Sequence, residues 1–196
     1  MERVIDLIKY RRSLRAFTDQ PLTRAEVETL LEAGVYAPSG HNRQSWLFTA
    51  VVKPQVLDEL NGLVRQGFRA LEPGQGDPQE LHDAKAKVER MREKYSFCYR
   101  APCLIIASND ADAHNGRADC ACALENMFLT AYDMGLGACW VNQLHWLDRD
   151  PELRAYLEGL GIPPSHSICG GGVFGHPGCP IPKASPRKEG TWRIIE

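Results

Sequence analysis

The sequence has no apolar run long enough to cross a membrane and no large excess of charge. A membrane-spanning helix needs roughly 18 consecutive apolar residues, and no stretch of the 196-residue chain approaches that length. The formal net charge is -2, so the chain lacks the basic surface that nucleic acids and anionic membranes attract. The charged first residues also lack the apolar core of a secretory signal. We expect a cytoplasmic protein without a nucleic-acid or membrane partner.

Two sequence motifs that mark cofactor and metal sites are also missing. No predicted strand leads through a Gly-x-Gly-x-x-Gly turn into a helix, which argues against a dinucleotide-binding Rossmann unit. The 7 cysteines include no Cys-x-x-Cys pair, and an odd number without a signal argues against a disulfide framework. Cys120 and Cys122 lie two apart on a predicted helix, where they point to different sides. We expect mostly buried thiols and no metal site.

What is present is the composition of a globular protein, 43% hydrophobic and 24% charged. The length fits one domain, residues 1–196. Periodicity and turn signals predict helices around 4–8, 23–36, 54–67, 79–95, 116–134 and 151–160. They predict strands around 46–52, 103–107, 139–142 and 167–174. Helices and strands interleave, which favours an α+β protein with helices packed around one sheet.

A cluster of three arginines and one serine follows the first predicted helix. Arg11, Arg12 and Arg15 stand within five residues together with Ser13. Guanidinium groups offer forked, permanently charged donors that suit the oxygens of a phosphate. The alternative is a solvated basic turn on the protein surface. The cluster therefore predicts an anion site or an exposed turn, and a second motif favours the anion site.

That second motif is a polar loop after the second predicted helix. Pro38 biases the preceding residue toward extended geometry, and Gly40 allows a sharp turn and a close approach to a ligand. Ser39, Asn42 and Gln44 supply both hydrogen-bond donors and acceptors, as a hydroxyl-rich ligand requires. An ordinary helix-to-strand connection is the alternative. Because the loop follows the arginine cluster so closely, the pair predicts one phosphorylated ligand.

The two motifs and three later landmarks resemble the nitroreductase family of flavin mononucleotide (FMN) enzymes. The later landmarks are Ala101-Pro102 before a buried strand, the glycine-rich turn at 135–140, and the Pro-Arg-Lys run at 186–188. The similarity spans about residues 3–188 and is weakest over the charged segment at 64–95. The resemblance implies a nitroreductase-like three-layer fold, with a mainly antiparallel sheet flanked by helices. It also implies an interlocked homodimer with FMN at the subunit interface.

The resemblance places FMN contacts on both subunits. The arginine cluster would serve the phosphate and the flavin edge from one subunit, and the polar loop would reach the flavin from the other. Late basic residues would return to the phosphate, with Lys183 competing with Lys188. The residues predicted to bind the cofactor are Arg11, Arg12, Ser13, Arg15, Pro38, Ser39, Gly40, Asn42, Gln44, Gly171, Arg187 and Lys188.

Each of three further features has two interpretations. The glycines at 170–172 match a segment whose backbone approaches the flavin, but they also fit a bulge or close packing. His41 would face the substrate or stay exposed in its loop. The segment 64–97 would be a lid or insert over the substrate side, or a solvated surface helix. Residues 176–196 are predicted to form an irregular C-terminal arm.

The resemblance implies an oxidoreductase that uses NAD(P)H and FMN. The expected reaction is ping-pong hydride transfer to nitroaromatic, quinone or other electron-poor organic acceptors. No catalytic side chain is assigned, because the flavin carries the chemistry. The alternatives are a non-catalytic FMN-binding or redox-sensing module, and a specialised family member that catalyses dehalogenation or flavin breakdown. A nucleotide-phosphate binding protein without flavin is a further alternative.

Overall fold

A computed structural model describes residues 3–196, which form one antiparallel sheet between two layers of helices. The helices are α1 (Val4–Tyr10), α2 (Arg24–Val35), α3 (Pro54–Ala70), α4 (Gln79–Met91), α5 (Gly116–Asp133), α6 (Gln143–Trp146) and α7 (Pro151–Gly159). The strands are β1 (Trp46–Val51), β2 (Cys103–Asp110), β3 (Gly137–Val141) and β4 (His166–Gly175). The strand order is β1-β2-β4-β3, and each neighbouring pair is antiparallel. The predicted α+β fold is confirmed.

Alternation along β2 explains why helices cover both faces of the sheet. Leu104 and Ile106 belong to one core cluster, whereas Cys103, Ile105 and Ala107 belong to the other. Successive side chains of a strand point to opposite faces, so this apolar run must be buried on both sides. Residues of α3, α4 and α7 build the first cluster, and residues of α2 and α5 build the second. The result is the three-layer arrangement that the resemblance implies.

Local signals place the ends of α2 and α7 where the sequence predicts them. The Thr23 hydroxyl accepts from the Glu26 N–H at 3.2 Å, and Glu26 Oε2 accepts from the Thr23 N–H at 2.6 Å. This reciprocal capping box satisfies two backbone donors at the start of α2. Asp150 caps α7 in a similar way, accepting from the N–H groups of Glu152 and Leu153.

Two helices expose apolar surface that the sequence analysis did not predict to be exposed. In α1 no residue is buried, and Val4 and Ile8 are 67% and 48% exposed. The apolar residues around most of α5 predict burial on nearly all sides. This is wrong for part of its circumference, because Cys122 is exposed and Leu129 is only half-buried. Packing within one chain therefore leaves one side of α1 and one side of α5 exposed. Within residues 3–196, no helix is both long and apolar enough to cross a membrane.

The charged segment predicted as a lid begins inside the core. Val64 and Phe68 of α3 are completely buried, and α4 packs against this layer through Leu81 and Val88. Helix α4 ends at Met91, and the next residue, Arg92, has a positive φ of 50° and begins a short 3-10 turn. The segment is therefore anchored at its start and carries its charged residues on an outer surface. Its role as a lid stays a prediction.

Candidate functional site

The arginine cluster follows α1 and lies against strand β3. At Arg11 the backbone leaves the helix for an extended conformation, with ψ of 134°. Ser13 then forms a parallel bridge with Ala138, and the Leu14 N–H donates to the Ala138 carbonyl at 2.9 Å. The Leu14 side chain is buried, which fixes the segment while its neighbours stay accessible. The cluster is therefore held to the sheet by its own backbone.

Helix α5 contacts the cluster through two side chains. Arg11 Nε lies 3.3 Å from Glu125 Oε1, and the Arg11 guanidinium carbon is 5.9 Å from the centre of the Phe128 ring. Glu125 is one turn of helix away from Phe128, so both reach the same side chain. This pair of contacts limits the freedom of Arg11 and leaves its terminal nitrogens available for another partner.

Two buried donors in this cluster have no hydrogen-bond partner among residues 3–196. They are the Nε atoms of Arg11 and Arg12; the Arg11 N–H is not directed at the nearby carboxylate oxygen of Glu125. Arg12 Nη1 donates to the Arg11 carbonyl. Buried polar groups in native proteins nearly always find a partner, and guanidinium donors without one suit an anion. The residues present therefore fit a phosphate-bearing cofactor.

An open groove of about 630 Å³ extends from this cluster. It is lined by residues of α1, the cluster, α5 and the C-terminal arm. Four of its lining residues are cations: Lys9, Arg12, Lys183 and Arg187. They come from α1, the cluster and the C-terminal arm, which are far apart in the sequence. Lys188 does not line the groove, so the geometry favours Lys183 of the two competing lysines. Both assignments stay predictions.

Cys139 lies next to the cluster on β3. Burial raises the pKa of the Cys139 thiol, and the guanidinium of Arg15 and the hydroxyl of Ser13 lower it in part. The thiol is therefore protonated at neutral pH, and it does not neutralise Arg15. The positive charge of Arg15 remains available to a ligand.

The polar loop is built around left-handed backbone and is tied to the start of α5. His41, Asn42 and Gln44 all have positive φ, at 53°, 53° and 48°. The Gly40 N–H donates to both carboxylate oxygens of Asp119, at 3.1 and 3.2 Å. A Cβ on Gly40 would lie 2.6 Å from the side-chain amide of Asn115. A side chain at position 40 would therefore have to displace Asn115, so the loop packs closely against the residue that precedes α5.

The remaining predicted loop residues are exposed or half-buried. The Ser39 hydroxyl accepts from the Gln44 N–H at 3.1 Å, and Gln44 Nε2 donates to Asn42 Oδ1 at 2.7 Å. Pro38 and His41 are exposed. The loop thus presents amide groups to its surroundings, as the predicted role requires, and the predicted role of His41 stays untested.

Within one chain, the loop and the cluster contact different parts of α5. The loop contacts Asp119, and the cluster contacts Glu125 and Phe128. Asp119 and Glu125 are separated by about 9 Å along a helix axis. No hydrogen bond within the described part of the chain joins the loop to the cluster. A second subunit that brings its own loop to the cluster is the arrangement implied by the resemblance.

The three glycines of β4 are explained by packing at the centre of the sheet. A Cβ on Gly170 would lie 2.5 Å from the Trp140 ring, and one on Gly172 would lie 2.8 Å from both Phe128 and Phe174. A Cβ on Gly171 would lie 3.1 Å from the Ile105 carbonyl oxygen. The β2–β4 register also shifts between Ala107 and Ser108, which is the bulge considered above. The predicted flavin contact of Gly171 stays a prediction.

Three residues of this region were not predicted from the sequence. Asp119 holds the loop, Glu125 holds Arg11, and the Tyr99 ring centre lies 5.9 Å from the Arg15 guanidinium carbon. The two acids interrupt an otherwise apolar helix, and that pattern could have identified them. Tyr99 carries no such signal, because its position depends on how the segment after α4 folds back.

Comparison with known proteins identifies close structural relatives. The nitroreductase family profile matches residues 8–176. A nitroreductase with bound FMN from Bacteroides fragilis NCTC 9343 has 38% sequence identity and a TM-score of 0.87, with 100% of each chain covered. The nitrobenzene nitroreductase of Ectopseudomonas oleovorans is 27% identical, over 78% of this chain and 78% of its own. The FMN reductase (NADPH) of Bacillus subtilis strain 168 is 26% identical, over 99% and 76% respectively.

The fold and the site define an α+β protein with a cationic groove beside the edge of an antiparallel sheet. The family match extends over most of the length of the chain and includes the arginine cluster and the polar loop. The chain belongs to the nitroreductase family.

Proposed function

We propose that this protein reduces nitroaromatic, quinone or other electron-poor organic acceptors as a homodimer that shares FMN between its subunits. It is an NAD(P)H-dependent FMN oxidoreductase, in agreement with its family, its FMN-bound relative and the names of its curated relatives. The observation that supports the proposed site most directly is Arg12, which lines the cationic groove and whose buried Nε has no hydrogen-bond partner among residues 3–196. A cytoplasmic location stays a prediction.

The cluster and the arm hold the anionic end of the cofactor in this proposal. Arg12, Lys183 and Arg187 converge on one groove, where a phosphate would satisfy their charges. Arg15 lies nearer the segment after α4, where its guanidinium would face the flavin edge. Positive charge at that edge favours an anionic reduced flavin, because opposite charges stabilise each other. These residues bind and orient the cofactor, and none of them needs to exchange a proton.

When bound, FMN supplies the redox chemistry, accepting hydride from NAD(P)H and passing it to the acceptor in turn. Both reactants would use one site in succession, which gives ping-pong kinetics. The protein contributes the position of the cofactor and the access to it. The amides of the polar loop are suited to bind the polar edge of the ring system, and the loop is prevented from collapsing by its anchor on Asp119.

Exposed apolar side chains support the proposed homodimer. Val4 on α1 is 67% exposed and Tyr36 after α2 is 80% exposed, and Trp192 and Ile195 of the arm are 79% and 88% exposed. Large apolar patches on an isolated chain usually mark an interface. Because α1 precedes the cluster and Tyr36 precedes the loop, pairing of two chains through these surfaces would bring both motifs to the interface.

The test begins with the absorption spectrum of the purified protein. We expect a flavin spectrum, FMN released on denaturation, and a dimer by light scattering. Oxidation of NADPH or NADH should be stimulated by nitrobenzene or a quinone, and initial rates should give parallel double-reciprocal lines. A colourless protein that cannot be reconstituted with FMN would contradict the cofactor assignment. A flavoprotein that is reduced but passes no electrons to any acceptor would instead favour a redox-sensing module.

A further inference from the structure

A second, smaller groove lies between α4 and the turn that follows it. Its volume is about 370 Å³, which is within the range of small-molecule sites. The lining residues are Lys87, Met91, Lys94, Tyr95, Ser96, Tyr99 and Arg100. It is separate from the groove that contains Arg12 and the arm. The lining combines three cations with two tyrosines and one serine, and it contains no carboxylate.

The cations of this groove are not neutralised by the protein. No ion pair within residues 3–196 includes Lys87, Lys94 or Arg100. Their basic neighbours behave differently: Lys85 pairs with Glu89 at 3.2 Å, and Arg69 pairs with Glu93 at 2.7 Å. A set of positive charges without acidic partners raises the local potential and attracts anions.

Tyr99 connects this groove to the arginine cluster. The Lys87 ammonium nitrogen is 5.7 Å from the centre of the Tyr99 ring, and the Arg15 guanidinium carbon is 5.9 Å from the same centre. The two cationic groups are therefore no more than about 12 Å apart, since each lies within 6 Å of one ring. A ligand held in the groove would lie beside the proposed flavin site.

The turn that shapes the groove has an unusual backbone. Tyr99 and Arg100 are consecutive residues with positive φ, at 53° and 57°, a conformation that costs energy for non-glycine residues. The Arg100 N–H donates to the Ser96 hydroxyl at 3.1 Å, and Gln143 of α6 donates to the Tyr95 hydroxyl at 3.1 Å. The surrounding fold holds this turn in place, and with it the positions of two lining cations.

We propose that this groove binds the anionic group of a substrate, which is either the carboxylate of an aromatic acceptor or the 2′-phosphate of NADPH. The proposal rests on the proposed function, because it concerns the substrates of the same flavin site. Lys87 and Lys94 would contact the anion directly, while Tyr99 would pack against the adjoining ring or ribose. The groove would thus determine specificity without taking part in electron transfer.

Two matched pairs of substrates test the proposal on the FMN-loaded dimer. The acceptor pair is 4-nitrobenzoate and 4-nitrobenzyl alcohol, and the donor pair is NADPH and NADH. The double variant Lys87→Gln/Lys94→Gln removes two groove charges. Arg90→Gln is the control, because Arg90 is an exposed cation of the same helix that does not line the groove. FMN content and circular dichroism check that each variant is folded.

For each pair, we compare kcat/KM for the more anionic substrate with kcat/KM for its partner. We expect the double variant to lower this ratio about tenfold in one pair, mainly by raising KM for the more anionic substrate. The control should leave both ratios unchanged. Exposed charge pairs are individually weak, so the loss of two together should have an effect of about this size. A change in the acceptor pair identifies a carboxylate, and a change in the donor pair identifies the 2′-phosphate. Unchanged ratios in both pairs would overturn the proposal.

Calorimetric binding separates this proposal from the proposed function. The same proteins are titrated with 4-nitrobenzoate against 4-nitrobenzyl alcohol, and with adenosine 2′,5′-bisphosphate against adenosine 5′-monophosphate. A preference for the anionic member of one pair that the double variant loses supports the groove even if turnover fails. Normal turnover with no preference, or a preference that the double variant keeps, rejects the groove and leaves the oxidoreductase assignment intact.

Discussion

The backbone N–H of Gly40 and the carboxylate of Asp119 connect the polar loop to α5, at 3.1 and 3.2 Å. The two residues are 79 positions apart. The bond fixes the middle of the loop while its amide side chains stay accessible. The Asp119 carboxylate is thus directed at the loop backbone rather than toward a ligand.

Asp119→Ala should release the loop and weaken cofactor binding. We expect the dissociation constant of FMN to rise about tenfold and the free energy of unfolding to fall by about 1 kcal/mol, because the partly buried Gly40 N–H loses its acceptor. Fluorescence titration with FMN and urea denaturation measure the two effects. Asp119→Asn, which retains one acceptor oxygen, should restore most of both, and the exposed Asp112→Asn should change neither. Unaltered FMN affinity in Asp119→Ala would contradict a role for the loop.

Arg12→Ala should weaken FMN binding more than any change outside the groove. The substitution removes a cation that lines the proposed phosphate groove and whose Nε has no hydrogen-bond partner among residues 3–196. We expect the dissociation constant to rise at least tenfold, measured by equilibrium dialysis, since charge-assisted contacts contribute roughly 1.5–3 kcal/mol. Arg24→Ala is the control, because Arg24 is exposed on α2 and pairs only with Glu28. Equal effects of the two substitutions would reject the phosphate assignment.

Lys183→Ala and Lys188→Ala distinguish the two basic positions of the arm. Lys183 lines the groove with Arg12 and Arg187, and Lys188 does not. We expect the first substitution to raise the FMN dissociation constant several-fold, because a phosphate loses one charge partner. The second should have little effect. The opposite order would show that the arm adopts another position in the FMN-bound dimer.

Gly172→Ala should destabilise the sheet by overpacking. Its Cβ would lie 2.8 Å from atoms of Phe128 and Phe174, and overpacking of this kind typically costs about 1–3 kcal/mol. Gly159→Ala in α7 is the matched control, because nothing lies within 4 Å of its Cβ position and alanine favours a helix by up to about 1 kcal/mol. Thermal unfolding followed by circular dichroism measures both. If Gly172→Ala were as stable as the parent, the packing explanation of this glycine would be wrong.

Tyr95 should titrate well above the exposed tyrosines. Burial raises its pKa to about 12 from an ordinary value of 10.0, and the hydrogen bond from Gln143 lowers it in part. A folded-state pKa above the unfolded one means that the protonated phenol stabilises the fold below pH 10. That stabilisation is lost as pH rises from 10 to 12. A pH titration of tyrosinate absorbance should show one group in the parent protein that titrates near pH 12 and is absent from Tyr95→Phe. If the missing group titrated near pH 10 instead, the burial of Tyr95 would be contradicted.

Much of the architecture and of the candidate site could be predicted from neighbouring residues. Thr23 and Glu26 predict the start of α2 because a capping box forms within four consecutive residues. The apolar run around Leu104 requires cover on both faces, which leads to a three-layer fold. The arginine cluster and the polar loop indicate a phosphorylated ligand because their donors lie close together in the sequence.

Other features depend on which distant segments the fold brings together. Asp119 and Tyr99 contact the loop and the cluster only because α5 and the turn after α4 pack beside them. The exposure of α1 and part of α5 also could not be predicted, because amphipathic periodicity does not say whether an apolar face meets its own chain or another. Local hydrogen bonding and hydrophobic patterning, which act over a few residues, thus determined the elements, and the charged and polar motifs indicated a phosphorylated ligand. Tertiary packing alone decided which side chains hold the loop, and where Lys87, Lys94 and Arg100, which have no ion-pair partner among residues 3–196, line a second groove.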